Sequence, residues 1–178
     1  MRMTDWTQLG FEFAGVVVGV IFGFQLDRFR DWLTRNGERD EFLRMIREEI
    51  NENLDMLKTA FPKFKDEFGY MPTQGLRVDT WHALSNRIAL VKSASLRRQI
   101  LTIYAKFDMY ERTLSHYLEL GYTSLTQPEG SGIKDAAEDE MKLLAGTICA
   151  QLNGPPQPGI LGYANSVIVS IDGELRDC

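Results

Sequence analysis

Hydrophobic and polar positions divide this chain into an apolar rod and a longer amphipathic part. From Leu9 to Leu26 the chain reads LGFEFAGVVVGVIFGFQL, and only Glu12 and Gln25 are strongly polar. Eighteen helical residues rise about 27 Å, close to the thickness of a bilayer's hydrocarbon core. Trp6 precedes the run, and Phe29 and Trp32 follow it, at the level of an aromatic belt. Arg28 and Arg30 close it on the same side. The pattern predicts a transmembrane helix over about residues 9–26, within an anchor of residues 1–37. A cleaved signal peptide fits less well: Asp5 stands in the short leader, and no small-x-small site ends the apolar run.

Beyond the rod the period is helical. Asn36-Gly37 is a stop signal, so the first helix is expected to end or bend there. A second helix is predicted over Glu38–Ala60, with Leu43, Ile46, Ile50, Leu54, Leu57 and Phe61 inward and Pro62 interrupting the stripe. Its polar face, which includes Arg47, Glu48, Glu49 and Glu52, mixes signs and reads as solvated surface. Phe64 and Phe68 prolong the apolar pattern, and Met71-Pro72-Thr73-Gln74-Gly75 breaks it.

A short third helix fits Asp79–Asn86. Ser93 then caps a long fourth helix reaching about Leu120, with Leu96, Ile100, Ile103, Phe107, Tyr110, Leu114 and Tyr117 buried and Gly121 at its end. After a Gly/Pro loop over Thr126–Ile133, a fifth helix is expected over Asp135–Leu152, with Ala137, Met141, Leu144 and Ile148 inward. Its Asp135, Glu138, Asp139 and Glu140 oppose the positive helix end. Residues 153–178 open on a Gly/Pro-rich break and form a tail. Within it Ser166–Ile171 reads equally as a strand or a short helix. The fold class is therefore all-α: an N-terminal transmembrane helix followed by a small antiparallel helical bundle over residues 38–152.

Charge orients the rod. Arg2 stands alone on its amino side, whereas Arg28, Arg30, Arg35, Arg39, Arg44 and Arg47 crowd the other. The positive-inside rule places the N-terminus outside and the remainder in the cytoplasm, as a single-pass protein of the cytoplasmic (inner) membrane. The whole chain of 178 residues carries a formal charge of -5, which argues against a general nucleic-acid binder. Residues 121–178 hold 3 basic and 8 acidic residues, so the acidic end is set to point away from an anionic leaflet.

Gly15, Gly19 and Gly23 recur every four residues and fall within about 80° on a helix. Glu12 and Gln8 extend this stripe one way and Arg30 the other. Small residues aligned in lipid let another helix approach closely. The partners expected are the bilayer and either a second copy or another membrane subunit. Glu12 lies at shallow depth, where it either snorkels to the interface or pairs within the seam.

Catalytic signatures are sparse. Asp79-x-x-His82 puts two ligand types on one helical face, short of a metal site. His116, near Arg112 and Glu119, reads as solvated or capping, and Cys149 as packed rather than nucleophilic. Two cysteines far apart make no disulfide framework. Nucleotide-loop, zinc-protease and nucleophile-elbow motifs do not occur, so no cofactor, metal or enzymatic activity is expected. Arg87, Lys92, Arg97 and Arg98 form a basic cluster fit for headgroups, an acidic partner or the acidic fifth helix.

Glu12, Gly19, Gln25, Leu26, Asp27 and Phe29 run in the order acidic residue, aliphatic run with glycine, Gln-aliphatic-Asn/Asp and aromatic. In this the chain resembles an uncharacterised family of small bacterial membrane-anchored proteins. Trp81, Leu84, Leu90, Leu96, Arg97, Ile100 and Tyr104 follow its second element. Phe29 stands where a Trp is usual, and Ser85-Asn86-Arg87 where Ser-Gly is common. The resemblance implies an anchor with a helical domain and no particular activity. Three functions are compatible with this reading: a non-enzymatic scaffold that oligomerises or docks through the glycine seam, an accessory subunit of a membrane enzyme, or a small oligomeric pore or effector with Glu12 at its mouth.

Overall fold

A computed structural model describes the backbone of residues 4–66, 70–72, 74–154 and 158–176, and side chains from residue 19 onward within these ranges, except 21 and 66. The described residues are helical without a strand: α1 (Thr4–Asp66), α2 (Asp79–Leu84), a 3-10 turn (Ser85–Leu90), α3 (Ala94–Thr126), α4 (Gly132–Asn153) and α5 (Ile160–Arg176). The chain divides into two compact units, Met1–Glu41 and Phe42–Cys178.

In the first unit, α1 runs through Asn36-Gly37, contrary to the expected stop. Among the described residues, nothing beyond its own helix backbone lies within 4 Å of a Cβ built at Gly37, so no tight approach requires the glycine there. A lone glycine costs a helix only about 1 kcal/mol relative to Ala. Arg35, Glu38 and Arg39 around it are good helix formers, and one glycine among them does not end the helix.

In the second unit, α1 also passes through Pro62 instead of being interrupted there. The proline sits on an exposed face, where water can serve the carbonyl that loses its N–H partner. The inward face of this stretch is as the period predicts: Leu43, Ile46, Ile50, Leu54 and Leu57 are buried and Phe61 is partly buried, joined by Phe42, Ala60 and Phe64. Glu49 departs from the expected solvated face, for it is buried.

The Ser93 hydroxyl accepts from the Leu96 N–H at 3.2 Å and starts α3 as expected. All seven predicted inward residues of α3 are buried, with Tyr104 in addition. The helix does not end at Gly121. That glycine is buried within it, where a Cβ would run into the Met71 methyl group. The glycine marks a close crossing rather than a helix end. α3 closes at Thr126, and the Ser131 N–H bonds back to the Pro128 carbonyl, with Gly130 at φ 74° in a turn that requires a positive angle.

α4 begins at Gly132, capped by Ser131, which takes Ile133 out of the predicted loop and into the helix. Ala137, Met141 and Ile148 are buried as expected, Leu144 partly, and Leu152 joins them. Ser166–Ile171 resolves to helix, inside α5, which buries Ile160, Ala164, Val167 and Ile171. The four long segments share one core. Arg47 on α1 ties α5 down through both Asp172 oxygens, at 2.6 and 3.3 Å.

Candidate functional site

From Gly19 to Leu33 every described residue of α1 is exposed. Phe24 is 69% exposed and Trp32 53%, and Phe22, Leu26, Phe29 and Leu33 are similar. Seven large apolar side chains in one helical stretch leave an unpartnered surface of the kind that marks a contact with lipid or protein. Phe29 and Trp32 stack, with ring centroids 5.9 Å apart. Arg28 and Arg30 are exposed beside them. Among the described residues, nothing beyond their own helix backbone lies within 4 Å of a Cβ built at Gly19 or Gly23. Trp6, Glu12 and Gly15, with residues 9–18 of the expected span, lie on the part of α1 of which only the backbone is described. Among the described residues no helix is long and apolar enough to cross a membrane.

The second feature lies inside the helical unit, where three polar side chains seize the segment entering α2. Asn53 on α1 clamps Arg77 from both sides: its amide donates to the Arg77 carbonyl at 2.6 Å and its oxygen accepts from the Arg77 N–H at 2.8 Å. Glu111 on α3 accepts from the Leu76 N–H. Glu49, 5% exposed, accepts from the Thr80 N–H at 2.7 Å and the Trp81 N–H at 3.2 Å. A buried carboxylate is tolerable only when its lone pairs are used. Here they close the exposed N–H groups of α2 and neutralise its positive end.

Glu49 has a third partner. The Tyr104 hydroxyl donates to Glu49 Oε1 at 2.6 Å. Burial first, then that bond, pushes the Tyr104 phenol far above its ordinary value. The Tyr104 ring lies flat on Trp81, with centroids 4.4 Å apart and planes 8° apart, and meets Phe107 edge-on. Beside this aromatic pair, between α3 and the turn holding Val78 and His82, opens a cleft of about 330 Å³. Its α3 wall is one helical stripe: Leu101, Tyr104, Ala105, Asp108 and Glu111.

Other residues singled out in the sequence are dispersed. His82 is exposed at the cleft rim. His116 Nε2 lies 3.6 Å from Glu140 Oε1, with both side chains about half exposed. Cys149 is half-buried beside the core. Among the described residues no three His, Cys, Asp or Glu side chains converge to hold a metal. Of the basic cluster, Arg97 turns inward to the Val91 and Lys92 carbonyls before α3, an internal role. Sequence periodicity missed Glu49, Asn53 and Glu111. The available signal was an acid and an amide one turn apart on one edge of an apolar stripe, opposite a chain break that lacks a side-chain cap of its own.

Comparison with protein-family models, with curated proteins and with solved structures yields no match to this chain.

Proposed function

We propose that the chain is a non-enzymatic, single-pass membrane scaffold. Residues 9–26 of α1 cross the inner membrane with the N-terminus outside, and the helical unit lies in the cytoplasm. The glycine edge of Gly15, Gly19 and Gly23 packs against another helix, in a second copy or in a neighbouring subunit. The observation that carries this reading is the exposed apolar stretch from Val20 to Leu33, with Gly19 and Gly23 open beside it. Water disfavours such a surface by about 25 cal/mol per Å² of apolar area, whereas lipid does not. The polar residues buried in the helical unit support the same reading. Glu49 and Asn53 are spent on backbone groups and a phenol, which suits a rigid platform rather than a reaction centre.

Inside a bilayer, association between helices rests on close packing, and glycine edges provide it. Native mass spectrometry in mild detergent tests this. A discrete oligomer, or a fixed stoichiometry with foreign subunits, is expected for the wild type, with dissociation in Gly19→Leu. A strict monomer, unchanged by Gly19→Leu, contradicts it.

A further inference from the structure

The cleft beside Trp81 and Tyr104 has a lining that selects for charge. Its volume of about 330 Å³ lies at the lower end of the range of small-molecule sites. Val78, Leu101 and Ala105 give it apolar walls. Asp108 and Glu111, three residues apart on α3, give it two carboxylates; His82 stands at its rim, and among the described residues no Lys or Arg lines it. An anion entering here meets repulsion, and a neutral polar solute leaves the acids unanswered. An apolar body that carries a positive charge satisfies both walls.

The aromatic pair supplies the apolar side of the site. Trp81 lies flat on Tyr104, whose hydroxyl donates to the buried Glu49 carboxylate, so the pair is fixed before a ligand arrives. Glu111 is held in place by the Leu76 N–H, so it does not have to be ordered on binding. Asp108 makes an exposed pair with Arg112 at 2.7 Å, and such surface pairs are weak enough to yield to a ligand.

We propose that this cleft binds a small organic cation, an alkyl- or arylalkylammonium ion. Its ammonium lies toward Asp108 and Glu111, and its apolar body lies against Val78, Leu101 and the Trp81–Tyr104 pair. The two acids repel a neighbouring phosphate, so the ligand is a free amine and not the zwitterionic headgroup of a lipid. The site belongs to the helical unit and does not depend on the membrane reading.

The test is titration of the full chain in a nonionic detergent, by calorimetry and by the shift of the Trp81 indole signal. Three probes suffice: 2-phenylethylammonium, the near-isosteric neutral 2-phenylethanol, and phosphoethanolamine. The ammonium is expected to bind at millimolar strength or better, at least about tenfold more tightly than either other probe, a difference worth about 1.4 kcal/mol. Asp108→Asn is expected to weaken it several-fold and Asp108→Lys to abolish it, both with the melting temperature nearly unchanged, because Asp108 is exposed. Three results overturn the proposal: equal binding of the neutral probe or of phosphoethanolamine, no binding of the ammonium up to about 10 mM, or Asp108→Lys binding like the wild type.

Discussion

The Glu49 carboxylate and the Tyr104 hydroxyl, 55 residues apart in the chain, meet at 2.6 Å inside the helical unit. That contact joins α1 to α3, and through Trp81 both hold α2. Glu49→Ala strands two backbone N–H groups and a phenol in a buried place. Each buried donor left unpaired costs about 1–3 kcal/mol. The variant is expected to lose several kcal/mol in denaturant unfolding. Tyr104→Phe, which deletes one donor and leaves the carboxylate its two N–H partners, is expected to lose about 1–2 kcal/mol. A double-mutant cycle should show the two losses to be strongly non-additive.

Alkaline titration examines the same region. Burial pushes the Tyr104 phenol far above its usual value, with the bond to Glu49 adding to it. Tyr110 is raised by burial first and by Glu111 second. A phenol whose folded pKa exceeds its unfolded value of about 10 stabilises the fold fully below that value. The contribution fades as pH rises toward the folded value, because the unfolded state releases the proton first. Stability should therefore fall steadily above about pH 10, less steeply in Tyr104→Phe. Absorbance near 295 nm should show these two tyrosines silent until the chain unfolds.

Asn53 provides a third check. Its side chain occupies both the N–H and the carbonyl of Arg77, replacing the backbone partner that an irregular segment lacks. Asn53→Ala is expected to cost about 2 kcal/mol and to speed hydrogen exchange at Arg77 and the first turn of α2. Asn53→Asp, which turns a buried carboxylate oxygen on the Arg77 carbonyl, should cost at least as much as Asn53→Ala.

Two glycines should respond differently to one added methyl. At Gly121 the obstacle is the Met71 methyl group, the free end of a flexible side chain. At Gly159 the obstacles are backbone, the Leu152 carbonyl and the Asn153 nitrogen, where α4 meets the approach to α5. Gly121→Ala is expected to lie within about 1 kcal/mol of the wild type, since Met71 yields and helix propensity is gained. Gly159→Ala is expected to cost more than about 2 kcal/mol, because the connection must shift. Thermal melts of the two variants decide the matter.

Much of the fold is legible in the order of residues. The stripes of α3 and α4 name their buried faces almost residue by residue, because a 3.6-residue period leaves little choice once one face must be dry. Ser93 announces its helix for a local reason, the hydroxyl accepting an N–H three residues on. The misreadings share a cause. Gly37, Pro62 and Gly121 are local breakers whose penalties of a few kcal/mol or less are absorbed where a long helix packs or meets water. Ser166–Ile171 is too short for its own period to choose helix over strand, and its packing against α3 and α4 settles the matter. Glu49 escaped notice because its partners are backbone groups of a distant segment, which sequence spacing does not reveal.

Extraction with alkaline carbonate of membranes from cells that produce the chain tests the membrane proposal most directly. If residues 9–26 lie in lipid, the chain stays in the pellet and is released only by detergent. Release into the carbonate supernatant as a monodisperse, detergent-free monomer would contradict it.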